Sequence, residues 1–147
     1  MVSDCEDSEE DLDEHLVVAI DAPKLQYMRL RDGRTASFVL DNMVSLVNAD
    51  IDAVFNLIQE ERFDPNDLQK RSMFRKFLAG ISGVQSMIIT SSTLEVIYDY
   101  SRCESLPLFK NLSFLRVGSF GYKREMLSMF LERCPNLKSL ALVRIIY

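Results

Sequence analysis

A chain of 147 residues with a net charge of −5 and 48 % hydrophobic side chains supplies one domain's worth of core. No apolar run approaches the ~20 residues of a membrane span, and an acidic start is the reverse of a secretory leader's basic opening. A membrane-spanning or secreted protein is therefore not expected, and a reducing, cytoplasmic or nuclear setting is. The charge is unevenly spread: residues 4–14 hold 8 of the 22 acids and no base, and the remainder carries 14 acids against 17 bases, a surplus of +3.

Residues 1–14 read as a disordered acidic tail, too dense in carboxylates to build a core. They lack the glycine and ligand spacing of a calcium loop. Leu16-Val17-Val18-Ala19-Ile20 is a β-branched run that predicts a buried strand, ended by the turn Asp21-Ala22-Pro23. A second strand runs from Leu25 to Leu30 and stops at Asp32-Gly33. Ala36 to Leu40 alternates weakly as an added strand, and Leu46 to Ile51 follows as another. Asp64-Pro65-Asn66-Asp67 marks a helix start with Asn66 or Asp67 as cap. Met73, Phe74, Phe77, Leu78 and Ile81 then share one helical face, while Arg71, Arg75 and Lys76 point elsewhere. Gly80 and Gly83 bracket the exit. A second helix is predicted from Leu94 to Arg102. A third spans Tyr122 to Arg133, with Met126, Leu127, Phe130, Leu131 and Cys134 as its stripe and Pro135 as its stop.

A phrase recurs through this pattern. Ala22 to Leu30 returns as Phe109 to Val117 and again as Cys134 to Leu142, each with an L-x-x-L-x-L triplet: Leu25/Met28/Leu30, Leu112/Leu115/Val117 and Leu137/Leu140/Leu142. Leu46/Ala49/Ile51 and Val84/Met87/Ile89 are weaker copies. The spacing is that of the strand-forming half of a leucine-rich repeat. Triplet starts lie 21, 38, 28 and 25 residues apart, and only the second interval falls well outside the usual ~20–29. The fold expected is α/β: an irregular leucine-rich-repeat solenoid over residues 15–147, with a mostly parallel sheet and outer helices. A solenoid ordinarily closes with a polar cap, whereas residues 142–147 are largely apolar. The domain is accordingly expected to be incomplete at that end and prone to self-association.

Side chains between the leucines would face a binding surface. The candidate recognition residues are Tyr27, Arg29 and Arg31; Asn48, Asp50 and Asp52; Ser86, Ile88 and Thr90; and Phe114 and Arg116. Mixed Tyr, Arg and Phe flanked by acids is a composition found at recognition sites. It is also an ordinary composition for exposed strands. Enzymatic chemistry has no foothold: His15 is the sole histidine, and neither a phosphate loop, a metal-ligand cluster nor a nucleophile elbow occurs. No catalytic, metal or cofactor residue is assigned. Cys5, Cys103 and Cys134 form no C-x-x-C and read as free thiols, Cys134 buried. Lys70, Arg71, Arg75 and Lys76 near Phe74 and Phe77 raise a nucleic-acid-binding alternative. It is weakened because both phenylalanines belong to the buried stripe.

Val17 to Leu25, Ser45 to Asp52, Ser91 to Tyr98, Leu106 to Leu112 and above all Phe130 to Leu140 (Phe-Leu-Glu-Arg-Cys-Pro-Asn-Leu-Lys-Ser-Leu) resemble the plant F-box/leucine-rich-repeat proteins, in particular the FBD-associated subgroup. In that family an F-box docks the Skp adaptor of a cullin ubiquitin ligase, and the repeats select the protein to be ubiquitylated. Neither an F-box nor an FBD segment is recognised here, so the resemblance implies the repeat region only. Binding of the Skp adaptor is not expected. The function expected is recognition of a protein target. The alternatives are a basic nucleic-acid binder and a truncated product with no independent role.

Overall fold

The computed structural model describes residues 16–32, 37–55, 64, 66–118 and 124–144. In chain order they form β1 (Val17–Asp21), β2 (Tyr27–Asp32), β3 (Ser37–Asp41), β4 (Asn48–Ala53), α1 (Leu68–Ile81), β5 (Ser86–Thr90), α2 (Ser91–Ser101), β6 (Phe114–Gly118), α3 (Arg124–Leu131) and β7 (Ser139–Leu142). The expected acidic tail, His15, the Gly33 turn position, the predicted start of the third helix at Tyr122 and the last three residues lie outside the described residues.

Five strands make one parallel sheet in the order β2-β4-β5-β6-β7. Its register places the triplets side by side. Met28, Ala49, Met87, Leu115 and Leu140 form one row across the sheet, and Leu30, Ile51, Ile89, Val117 and Leu142 form another. Because side chains on a strand alternate, both rows lie on the same face. That face meets Phe74, Phe77, Leu78 and Ile81 of α1, Leu94, Val96, Ile97 and Tyr100 of α2, and Phe130 of α3 in one core. Leu25, Leu112 and Leu137 thus each stand two residues before a strand of one and the same sheet, as the recurring phrase predicts.

The backbone recurs as regularly as the side chains. In each unit the amide of the first triplet residue donates to the carbonyl three residues earlier: Leu25 to Ala22, Leu46 to Met43, Val84 to Ile81, Leu112 to Phe109 and Leu137 to Cys134. Pro23 and Pro135 occupy the second position of that turn, where a fixed φ near −65° is already suitable. The carbonyl just after the first triplet residue then takes two amides from the next unit. Gln26 O accepts Val47 and Asn48, Val47 O accepts Gln85 and Ser86, Gln85 O accepts Ser113 and Phe114, and Ser113 O accepts Lys138 and Ser139.

The return segments are not uniform. β1 and β3 pair in a separate parallel two-stranded sheet, so the first two units return through strands and the later ones through helices. Length decides this. A strand rises ~3.3 Å per residue and a helix 1.5 Å, so the short interval between the first two triplets accommodates five extended residues far more readily than the eleven or so of a helix. The strand over Leu16–Ile20 was expected to be buried and is not: Leu16 and Val17 are 45 % and 40 % exposed, with only Val18 and Ile20 turned to the core. α2 begins at Ser91, three residues before the expected Leu94, because Thr90 serves as its cap, the side-chain oxygen accepting the Thr93 amide. The third helix ends at Leu131, two residues earlier than expected. Asp67, one of the two expected caps, accepts the Lys70 amide at 3.0 Å.

Phe55, just after β4, holds φ 54°, an unusual conformation for a bulky residue. Its ring stands edge-on to Phe38, Phe74 and Phe77, with centroids 5.9, 4.8 and 4.9 Å away, and that packing holds the backbone there. Close by, the buried Thr93 hydroxyl accepts the Ala53 amide and lies 3.0 Å from the Ala53 carbonyl, closing the end of β4 onto α2. At β7 the core rows come to the surface: Leu140 and Leu142 are 41 % and 44 % exposed.

Gly80 has a packing reason. A Cβ there would meet Leu40 Cβ at 2.6 Å and Cδ1 at 2.9 Å, so α1 lies against β3 only because residue 80 has no side chain. Alanine in a helix interior ordinarily gains ~1 kcal/mol over glycine, but overpacking costs ~1–3 kcal/mol. Gly80→Ala should therefore lower the urea or thermal unfolding midpoint. A raised midpoint would show that α1 and β3 do not approach this closely.

Candidate functional site

The face of the sheet opposite the helices carries every candidate recognition residue. Tyr27, Asn48, Ser86 and Phe114 are register partners in one row, continued by Ser139. Arg29, Asp50, Ile88 and Arg116 form the next, continued by Ala141. Arg31 stands beside Asp52, and Thr90 beside Gly118. This face is polar and open: Tyr27 is 52 % exposed, Arg116 is exposed, and Ile88 and Phe114 are half-buried.

Charge on the face is shared unequally. Asp50 Oδ2 lies 3.7 Å from Arg29 Nε and 4.0 Å from Arg31 Nη2, so one carboxylate serves two guanidinium groups through long single contacts. A bidentate Arg–carboxylate pair would be at ~2.7–2.9 Å. The neighbouring Asp52 accepts the Thr90 hydroxyl at 3.1 Å. On β6, Arg116 stands between Ile88 and Ala141, which carry no charge. Gly118, two residues on, has ordinary negative φ, and the nearest atom to a Cβ built there is the Ile89 carbonyl oxygen at 3.9 Å. The backbone therefore does not require glycine at 118, and its absent side chain leaves a notch beside Arg116.

A second polar cluster lies on the helical side. Glu104, after α2, accepts Arg71 Nη2 at 2.9 Å, Arg75 Nε at 2.8 Å and the Tyr100 hydroxyl at 2.7 Å, with a further hydrogen bond from Arg75 Nη2. Chiefly the Arg75 hydrogen bonds, and after them that of Tyr100, hold the Glu104 carboxyl down at about 2. Burial, then the hydrogen bond to Glu104, pushes the Tyr100 phenol up to about 12. Arg71 and Arg75 both point away from the apolar face, as expected, but Arg71 is not free in solvent. Its side chain is 21 % exposed and joins α1 to the segment after α2. Sequence reasoning missed Glu104, since an acid 29 residues beyond Arg75 has no helical spacing to betray the pairing.

This cluster bears on the nucleic-acid alternative: two of its four bases are occupied by Glu104, and Phe74 and Phe77 are buried at 3 % and 1 %. Cys134 is also buried, and that burial pushes its thiol up to about 12, away from nucleophilic chemistry. Among the described residues no group of three His, Cys, Asp or Glu is placed to hold a metal ion, and no helix is long and apolar enough to cross a membrane.

The fold and face define an α/β protein with a parallel five-stranded sheet, helices on one side and an open polar surface on the other. No family model matches the chain, and no solved structure matches it. Its relatives are clear nonetheless. The chain is 68 % identical over 134 residues to an F-box/FBD/LRR-repeat protein of Arabidopsis thaliana, covering 91 % of this chain and 29 % of that protein. It is 63 % identical over 134 residues to F-box/LRR-repeat protein 13 of the same plant, covering 91 % and 30 %. With an FBD-associated F-box protein, also from Arabidopsis thaliana, identity is 63 % over 132 residues, covering 90 % and 29 %. The chain is therefore a close homologue of part of the plant F-box/FBD/LRR-repeat proteins and spans under a third of the length of those relatives.

The Glu104 cluster has a definite pH signature. Its carboxyl is held well below the unfolded value of 4.5, so its stabilising effect is complete above that value and is lost as pH falls through about 2. Glu104→Gln should lower stability near neutral pH by on the order of 1 kcal/mol, allowing for solvent screening. The difference from wild type should vanish in unfolding titrations between pH 4.5 and 2. A constant difference across that range would show that the carboxylate is not held by these arginines.

Proposed function

We propose that this chain is a leucine-rich-repeat module that binds a protein target through its open sheet face and has no enzymatic activity of its own. One observation carries the reading: all eleven candidate recognition residues fall on the open face of a sheet whose other face is filled by the apolar triplet residues. The recurring turns and doubly accepting carbonyls support a repeat solenoid. The relatives' names, which pair F-box with LRR-repeat, support a role resembling that of the repeat region of an F-box protein. A longer relative that carries the same open face would compete with this chain for a shared target. A cytoplasmic or nuclear location fits that role.

Affinity purification from plant cells should recover a protein that is lost when Tyr27, Arg29, Phe114 and Arg116 are changed together to alanine. The purified chain should show no tight, salt-sensitive binding to single- or double-stranded oligonucleotides. Strong binding that collapses between low and moderate salt would favour the nucleic-acid alternative.

A further inference from the structure

We propose that the open face takes an extended acidic segment of its protein partner, laid across the strands, with one carboxylate on Arg116 beside Gly118 and a second on Arg29 and Arg31. The inference rests on the protein-binding reading above and names the partner's chemistry. Arg116 is exposed and flanked in register by Ile88 and Ala141, so no neighbouring strand offers it a carboxylate. At the other end, Asp50 meets two guanidinium groups through contacts of 3.7 and 4.0 Å, leaving most of their donors facing outward. Tyr27 and Phe114, two residues before Arg29 and Arg116, repeat the same aromatic–arginine pairing at each end.

The spacing selects the ligand's form. β2 and β6 are three strand intervals apart, about 14 Å at ~4.8 Å each. An extended peptide rises ~3.4 Å per residue, so residues i and i+4 span that distance, and i, i+2 and i+4 point to the same side. Acids at i and i+4 then meet the two arginine ends, and an apolar residue at i+2 falls toward Ile88. The notch at Gly118 lets the peptide backbone come close to β6 without meeting a side chain.

The test is fluorescence anisotropy with the full chain and labelled ten-residue peptides at moderate salt. One peptide carries glutamates four apart with leucine midway, one carries them two apart, and one has glutamines instead. Binding should be strongest for the first and fall at least tenfold with Arg116→Glu or Gly118→Leu. Lys76→Glu, the same charge change on the exposed side of α1, should leave it unaltered. Arg116→Glu is expected to unfold at the wild-type midpoint, so it carries the result if Gly118→Leu does not fold. Equal binding of both glutamate spacings, or equal effects of Arg116→Glu and Lys76→Glu, would overturn the proposal. So would binding that emerges only when the eight acids of residues 4–14 are neutralised, which would make the chain's own acidic head the occupant. If the peptides fail while the four-alanine variant still loses a protein target, this inference falls and the binding role stands. A target captured equally by that variant removes the role itself.

Discussion

Five triplets can share one sheet only if each enters its strand at the same height, and the turn before the strand sets that height. In every unit the amide of the first triplet residue closes onto the carbonyl three residues back. The next carbonyl in the chain then receives two amides from the following unit. Those contacts fix the register, and the register decides which side chains face inward. A one-residue slip in any strand would exchange its inward and outward side chains. Leu115 and Val117, both fully buried, would be replaced on the core face by Phe114 and Arg116. The open face and the core are thus two consequences of one alignment.

The helical layer depends on the same alignment through two contacts that replace ordinary packing. Gly80 lets α1 approach β3, the last strand-type return before the helical ones begin. Thr93 satisfies the backbone of Ala53 where β4 ends, a position that would otherwise bury an unpaired amide. Glu104 then ties α1 to the segment after α2 from outside the core. Two of the four bases on α1, Arg71 and Arg75, are therefore engaged in joining it to the next unit.

Legibility in the sequence followed the period of each feature. The triplets repeat a fixed spacing, so the strands, their shared sheet and the side chains between the leucines could be read directly. The apolar stripe from Phe74 to Ile81 gave α1, and Asp67 gave its start. Features set by a single long-range contact left no such trace. Thr90 and Thr93 are unremarkable residues in sequence, yet they start α2 and close β4. Gly80 reads as a helix exit, and only the position of Leu40 gives it a packing role. The β1–β3 pair was half legible: both strands could be predicted, but their pairing depends on a return too short for a helix. The outward turn of Leu16 and Val17 contradicted a β-branched run that suggested full burial. The residues between the leucines were legible as one outward-facing set, whereas the charge imbalance around Arg116 required the register.

Native-state hydrogen exchange of the backbone amides tests the shared alignment most directly. The amides of Val47, Asn48, Gln85, Ser86, Ser113, Phe114, Lys138 and Ser139 should be protected together as one set, through the carbonyls they share with the preceding unit. Protection should be weakest at Lys138 and Ser139, beside the exposed edge at Leu140 and Leu142. Free exchange at Gln85 and Ser86 or at Ser113 and Phe114, with the neighbouring helices still protected, would contradict the account.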